Sequence, residues 1–108
     1  MAQPIKIHRL SETMGAEIIG VDLNDLDDAT FDQINQAYLK YQMLCIRNQD
    51  LKPAAMVQFS ERFGDVLPHD NLKFTLDTHP KILVLSNDVD ANGNQIGVID
   101  AGDAWHSD

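Results

Sequence analysis

The four residues Trp105-His106-Ser107-Asp108, "WHSD", decide how the rest of this 108-residue chain is understood. They set an imidazole and a carboxylate two positions apart. On an extended strand successive side chains alternate faces, so His106 and Asp108 point the same way, roughly 7 Å apart along the backbone. Side chains converging from that spacing can hold one metal ion. Imidazole plus carboxylate, with positions left open, suits ferrous iron, which needs room for a co-substrate and oxygen. A third protein ligand, normally a second histidine, completes such a set. Taken alone, the pair fits a surface histidine–aspartate hydrogen bond better. With 4 His and 17 acids in the chain, such pairs arise by chance.

Working upstream, "VIDAGDAWHSD" reads as an extended segment that carries the pair. Before it, "DVDANGNQIG" is a turn, with Asn92-Gly93 a strong hairpin signal. Asp88, Asp90, Asn92, Gly93 and Asn94 also imitate the opening of a calcium loop. The twelfth position, where a bidentate Glu belongs, is Ile99, and the usual apolar position is Gln95. A polar hairpin turn is the better expectation. "KILVLSN" (81–87) reads as a buried strand. "DVLPHDNLKFTLDTHP" (65–80) reads as a long connection that folds over something, as functional loops of that length do.

The first half is more regular. "IKIHRL" alternates, with Ile5 and Ile7 on one face and Lys6 and His8 on the other, the pattern of a half-buried strand. "GAEIIGVDL" is a second strand, with Gly15 and Gly20 marking a turn and a bulge or close backbone approach. From Asp28 the period becomes helical, with Phe31, Ile34, Tyr38 and Tyr41 facing the core and Asp27 or Asp28 capping the start. "MLCI" (43–46) reads as a strand buried on both faces, and its Cys45 as a buried inert thiol. In the second helix Pro53 suits the first helical position and Leu51 is placed to staple Met56. Met56, Phe59 and Phe63 form its buried stripe, and Gly64 is a left-handed stop. Helices and strands first, then strands, indicate an α+β arrangement or the front end of a β-rich barrel.

Composition sets limits. The length suits one domain, and 44% hydrophobic residues is ordinary for a globular chain. Apolar runs are too short to span a membrane, and "MAQPIKIHRL" lacks the apolar core of a secretory signal, so a cytoplasmic location is expected. Eight Lys+Arg against 17 Asp+Glu give a formal charge of −9, which repels phosphate backbones and disfavours nucleic acid. One cysteine excludes an internal disulfide.

Four segments together resemble the taurine/2,4-dichlorophenoxyacetate dioxygenase family of iron(II)- and 2-oxoglutarate-dependent oxygenases. They are "GAEIIGVDL", "YLKYQMLCIRNQDLKP", "FSERFGDV" and "WHSD", the last similar to the family's aromatic-His-Thr/Ser-Asp iron motif. The resemblance implies an α+β chain forming the N-terminal part of a double-stranded β-helix (jelly roll) with flanking helices. Residues 1–108 would be the N-terminal portion of a single dioxygenase catalytic domain. It implies His106 and Asp108 as iron ligands. The third ligand, a histidine, and an arginine for the 2-oxoglutarate carboxylate are expected beyond Asp108. Fe(II) is the implied metal, 2-oxoglutarate the co-substrate, and O2 with a small anionic organic compound the other reactants.

In taurine-using members a histidine lies five positions after the glycine of "RFG" and contacts the sulfonate. His69 holds that place after Gly64. Those members have a tyrosine where this chain has Leu72, and an asparagine where it has Gly102. Both departures weigh against taurine itself. Trp105 is expected to line the substrate pocket.

Three further expectations stand beside this one. The isolated chain is expected to be inactive, with unpaired strand edges that favour self-association into a homo-oligomer. A non-catalytic interaction module on the same scaffold is the alternative function. A zinc site completed by His69 or His79 ranks below both, because those histidines lack a recognised ligand spacing.

Overall fold

The computed structural model describes residues 4–69 and 72–106. The chain divides into two compact units, residues 1–56 and 57–108.

The first unit is a three-stranded sheet with a helix on one face. Strands β1 (Lys6–Arg9), β2 (Ala16–Ile19) and β3 (Leu44–Ile46) lie in the order β1-β2-β3, β1 antiparallel and β3 parallel to β2. A parallel neighbour cannot be reached by a tight turn. Helix α1 (Asp28–Tyr41) makes the crossover and packs on β2 and β3. The cap at its start is Asp27, whose Oδ1 accepts the Thr30 N–H at 2.7 Å. The helix ends at Gln42, left-handed at φ 69°, whose N–H donates to Tyr38 O at 2.8 Å.

Alternation along β2 sends Ala16 and Ile18 to the helix side, where both are buried, together with Phe31, Ile34 and Ala37 of α1. Three expectations for this unit need correction. Tyr38 is exposed and Tyr41 half-buried, and Ala37 completes the helix's inner face instead. A sheet this narrow covers only a narrow stripe of a helix. β3 and its Cys45 are half-buried rather than buried on both faces, because β3 is an edge strand. β1 is the opposite edge and is exposed along its length, Ile7 included.

Two side-chain amides tie the loop after β2 to the loop after β3. Gln49 Nε2 donates to Val21 O at 2.6 Å and Arg47 O at 3.0 Å, while its Oε1 accepts Leu23 N–H at 2.9 Å. Asn24 donates to Asp50 O and accepts from Lys52 N–H, both at 2.9 Å. Helix α2 (Pro53–Glu61) then begins at Pro53, as the missing proline N–H allows. Of its residues only Ala55 is buried. Met56 and Phe63 are exposed and Phe59 is half-buried, so the expected buried stripe is not formed; the two phenyl rings meet edge-to-face with centroids 5.2 Å apart. Gly64 follows at φ 152°, a backbone that side chains rarely adopt.

In the second unit the connection expected over 65–80 contains structure. A 3-10 turn (Leu72–Phe74) leads into β4 (Thr75–Leu76), which pairs antiparallel with β5 (His79–Leu83) around Asp77-Thr78. The strand expected at 81–87 therefore starts earlier, at His79, and is half-buried rather than buried. Period-2 alternation over so few residues is too brief to read. Val84 N–H donates to Phe74 O at 2.8 Å, Val98 N–H to Val84 O at 2.9 Å, and Ser86 N–H to Val98 O at 3.2 Å.

Gly97 is buried in that exchange. A Cβ there would lie 2.7 Å from Ser86 N and 3.0 Å from Val84 O, both backbone atoms that cannot swing aside. The polar turn behaves as expected: Asp90 N–H donates to Asn94 O at 2.9 Å, and Val89 bridges Gln95.

Two substitutions test these constraints. Asp27→Ala removes the acceptor at the start of α1 and is expected to lower unfolding stability by about 1 kcal/mol in urea titration. Gly97→Ala forces backbone apart, with an expected loss of about 1–3 kcal/mol. Its local signature is faster amide exchange at Val84, Ser86 and Val98; unchanged protection there contradicts the tight approach.

Candidate functional site

The segment that carries the motif does not run as the expected strand. From Ile99 to His106 the backbone turns, with Gly102 at φ 81°. The strand geometry proposed for the His106–Asp108 pair therefore does not hold at His106. Ser107 and Asp108 lie outside the described residues, as do Asp70 and Asn71.

His106 is exposed, and its Nδ1 lies 2.8 Å from Ala104 O. A carbonyl oxygen only accepts, so Nδ1 carries the proton of this bond. In the neutral ring the lone pair then belongs to Nε2. This is the arrangement by which a metal-binding imidazole is held: one nitrogen donates to the chain and the other faces the ion. The residues present thus fit a ferrous ion on the histidine side. The backbone carbonyl that does this has no signature in the sequence, so sequence patterns could not have found it.

Gly102 lies beside the ring; a Cβ on it would stand 3.5 Å from His106 Cε1, an ordinary contact. Space does not demand glycine there, whereas the positive φ favours it. Residues Gly102–His106 line a shallow open concavity of about 470 Å³. Trp105 is fully exposed on it.

The other candidates lie elsewhere in the chain. His69 is exposed in the connection after Gly64. His79 is the first residue of β5, half-buried, with Nδ1 2.9 Å from the Thr78 hydroxyl. Among the described residues no three His, Cys, Asp or Glu side chains gather where they could hold a metal ion. His69, His79 and His106 are accordingly not gathered with one another; the expected zinc set also includes Asp108, which lies outside the described residues.

In the calcium-like turn the Asp90 carboxylate is turned onto its own backbone. Its Oδ1 accepts Asn92 N–H and Asn94 N–H, each at 2.9 Å. The Asn94 N–H bond leads in holding this carboxyl below its ordinary range, against an opposing effect of desolvation and with help from Asn92 N–H and the Asn94 side chain. That use of the oxygens is what a hairpin turn needs.

Comparison with known proteins extends these observations. The family described as "Taurine catabolism dioxygenase TauD, TfdA family" matches residues 6–108. The whole chain aligns with an (S)-phenoxypropionate/alpha-ketoglutarate-dioxygenase of Sphingobium herbicidovorans at 29% identity over 118 residues, covering 36% of that protein. It aligns over its whole length with pentalenolactone F synthase of Streptomyces avermitilis at 31% identity, covering 37% of it. Among solved structures, a taurine dioxygenase from Burkholderia xenovorans superposes with a TM-score of 0.64 and 36% identity, over 72% of this chain and 28% of that one. The chain spans little more than a third of the length of the curated relatives it matches. With the match running from Lys6 through the Trp105–Asp108 motif, the chain belongs to the TauD/TfdA dioxygenase family.

Proposed function

We propose that this chain supplies part of the iron site of an iron(II)- and 2-oxoglutarate-dependent dioxygenase. The substrate is a small anionic organic compound of the taurine, alkylsulfate or aryloxyalkanoate kind. The observation that carries this is the family match across residues 6–108, which takes in the motif itself. Residues 1–108 then form the N-terminal portion of one catalytic domain built on a jelly roll. The relative named for phenoxypropionate, with Gly102 and Leu72 in this chain, favours the aryloxyalkanoate end of the substrate range.

Within this proposal the residues divide the work. His106 binds through Nε2 while Nδ1–H stays on Ala104 O, so the ring needs no change of tautomer to become a ligand. Asp108 adds an anionic oxygen, which offsets the charge of a divalent ion. The third ligand and the arginine for the keto acid's carboxylate belong to sequence beyond Asp108. When bound, iron(II) with 2-oxoglutarate and O2 supplies the oxidation: the keto acid goes to succinate and CO2, and one oxygen atom enters a substrate C–H bond. Trp105 offers an apolar face to the substrate and shields the reacting carbon from water. His69 offers an N–H to the substrate's anionic group.

Three measurements test this. In a protein of family length carrying this sequence, iron-dependent succinate release should track an aryloxyalkanoate or alkylsulfate substrate, and the isolated 108-residue chain should give none. Iron loading with no consumption of 2-oxoglutarate would defeat the proposal. His106→Ala should weaken iron binding by at least about tenfold, whereas a non-catalytic module would be indifferent to it. Independently of metal, long-range ¹H–¹⁵N spectra of the neutral His106 ring should show the proton on Nδ1. A proton on Nε2 contradicts the assigned tautomer without touching the family.

A further inference from the structure

The polar turn of the second unit carries chemistry that the iron site does not use. Among the asparagines of the chain, only Asn92 is followed by glycine. The order matters because an asparagine side chain can be attacked by the main-chain nitrogen of the next residue. A glycine in that place has no side chain to obstruct the approach. Asn92 is exposed, and its side-chain amide makes no hydrogen bond among the described residues. Gly93, at φ 79°, has open space where a Cβ would stand. The surface therefore has room for the ring that such an attack closes.

The folded turn withholds the nucleophile. Gly93 N–H donates to Asp90 O at 3.0 Å, and Asp90 N–H donates across the turn to Asn94 O at 2.9 Å. The Asp90 carboxylate holds the residues on either side of the Gly93 nitrogen. Its Oδ1 accepts Asn92 N–H and Asn94 N–H, each at 2.9 Å, and its Oδ2 takes a longer bond of 3.4 Å from the Asn94 side chain. To react, the Gly93 nitrogen must leave Asp90 O and turn toward Asn92 Cγ. The bonds to Asp90 Oδ1 oppose that turn, so the reaction proceeds from a locally opened hairpin and its rate follows the population of that state.

We propose that Asn92 is a site of spontaneous deamidation gated by Asp90. The Gly93 nitrogen bonds to Asn92 Cγ, the Cγ–Nδ2 bond breaks, and ammonia leaves with the proton that the Gly93 nitrogen gives up. Water then opens the resulting succinimide. Breaking its N–Cγ bond gives aspartate. Breaking the bond from nitrogen to the main-chain carbonyl carbon of residue 92 gives isoaspartate, whose main chain runs through Cγ and is one carbon longer. The net change is amide plus water to carboxylic acid plus ammonia, with no oxidation or reduction. Either product adds a carboxylate to a turn that already holds Asp88 and Asp90, and the longer chain of isoaspartate no longer fits the bonds that Asp90 makes across it.

The test is incubation of the 108-residue chain at mildly alkaline pH, folded and in urea. Each asparagine peptide is followed by its amide-to-acid mass gain and by labelling with an isoaspartyl methyltransferase. In the folded chain Asn92 is expected to convert ahead of the other asparagines, and to convert faster still in urea. Asp90→Ala should raise the folded rate about tenfold, the weight of one or two hydrogen bonds to a charged group. Asp90→Asn keeps an acceptor oxygen and should raise it by less. Gly93→Ala should suppress conversion even in urea, where the fold plays no part. Cooperative melting verifies the fold of each variant, and Asp90→Asn carries the gating test if the alanine variant does not melt cooperatively. Equal rates folded and in urea overturn the proposal, as does a folded rate indifferent to loss of the Asp90 carboxylate. Earlier conversion at another asparagine, or conversion of Asn92 without isoaspartate, overturns it too.

Discussion

The central position of β2 governs the first unit. It is the one strand paired on both sides, antiparallel to β1 and parallel to β3, and its Ala16 and Ile18 are fully or almost fully buried. Parallel pairing to β3 requires a crossover, and α1 supplies it while covering the face from which Ile18 projects. Burying an isoleucine contributes about 1.5–3 kcal/mol, and Ile18 and Ile34 are the largest fully buried side chains among the described residues. The cap at Asp27, the left-handed end at Gln42 and the amide ties from Gln49 fix the ends of elements that this burial holds together.

Legibility followed the length over which a pattern persisted. The fourteen residues of α1 showed their period through Phe31 and Ile34, and Pro53 announced α2 correctly. Burial was overread where it depended on how wide the covering sheet is: Tyr38, Tyr41 and Cys45 all sit at edges. The β4–β5 hairpin escaped notice because a two-residue strand leaves no alternation to see, and Asp77-Thr78 is not a strong turn pair.

At the site, the types of residue were legible and their geometry was not. Strand alternation gave a reason for His106 and Asp108 to share a face, yet the backbone before His106 turns at Gly102. The imidazole is oriented by its contact with Ala104 O, two residues back. Orientation by a main-chain carbonyl depends on local backbone path, which any of several side chains at position 104 would permit. The family match supplies what the motif alone could not, since a histidine and an acid two apart recur by chance in an acidic chain.

The Gln49 clasp has a chemical consequence. One primary amide answers three main-chain groups, with two donated bonds and one accepted. Hydrolytic loss of ammonia from it would leave a carboxylate facing the oxygens of Val21 and Arg47, turning two attractions into repulsions while the bond to Leu23 survives. The Gln49 half of the joint between the two loops is therefore open to loss by a single covalent event, marked by a mass gain of about one dalton in the peptide that carries Gln49, while the Asn24 bonds to Asp50 and Lys52 remain.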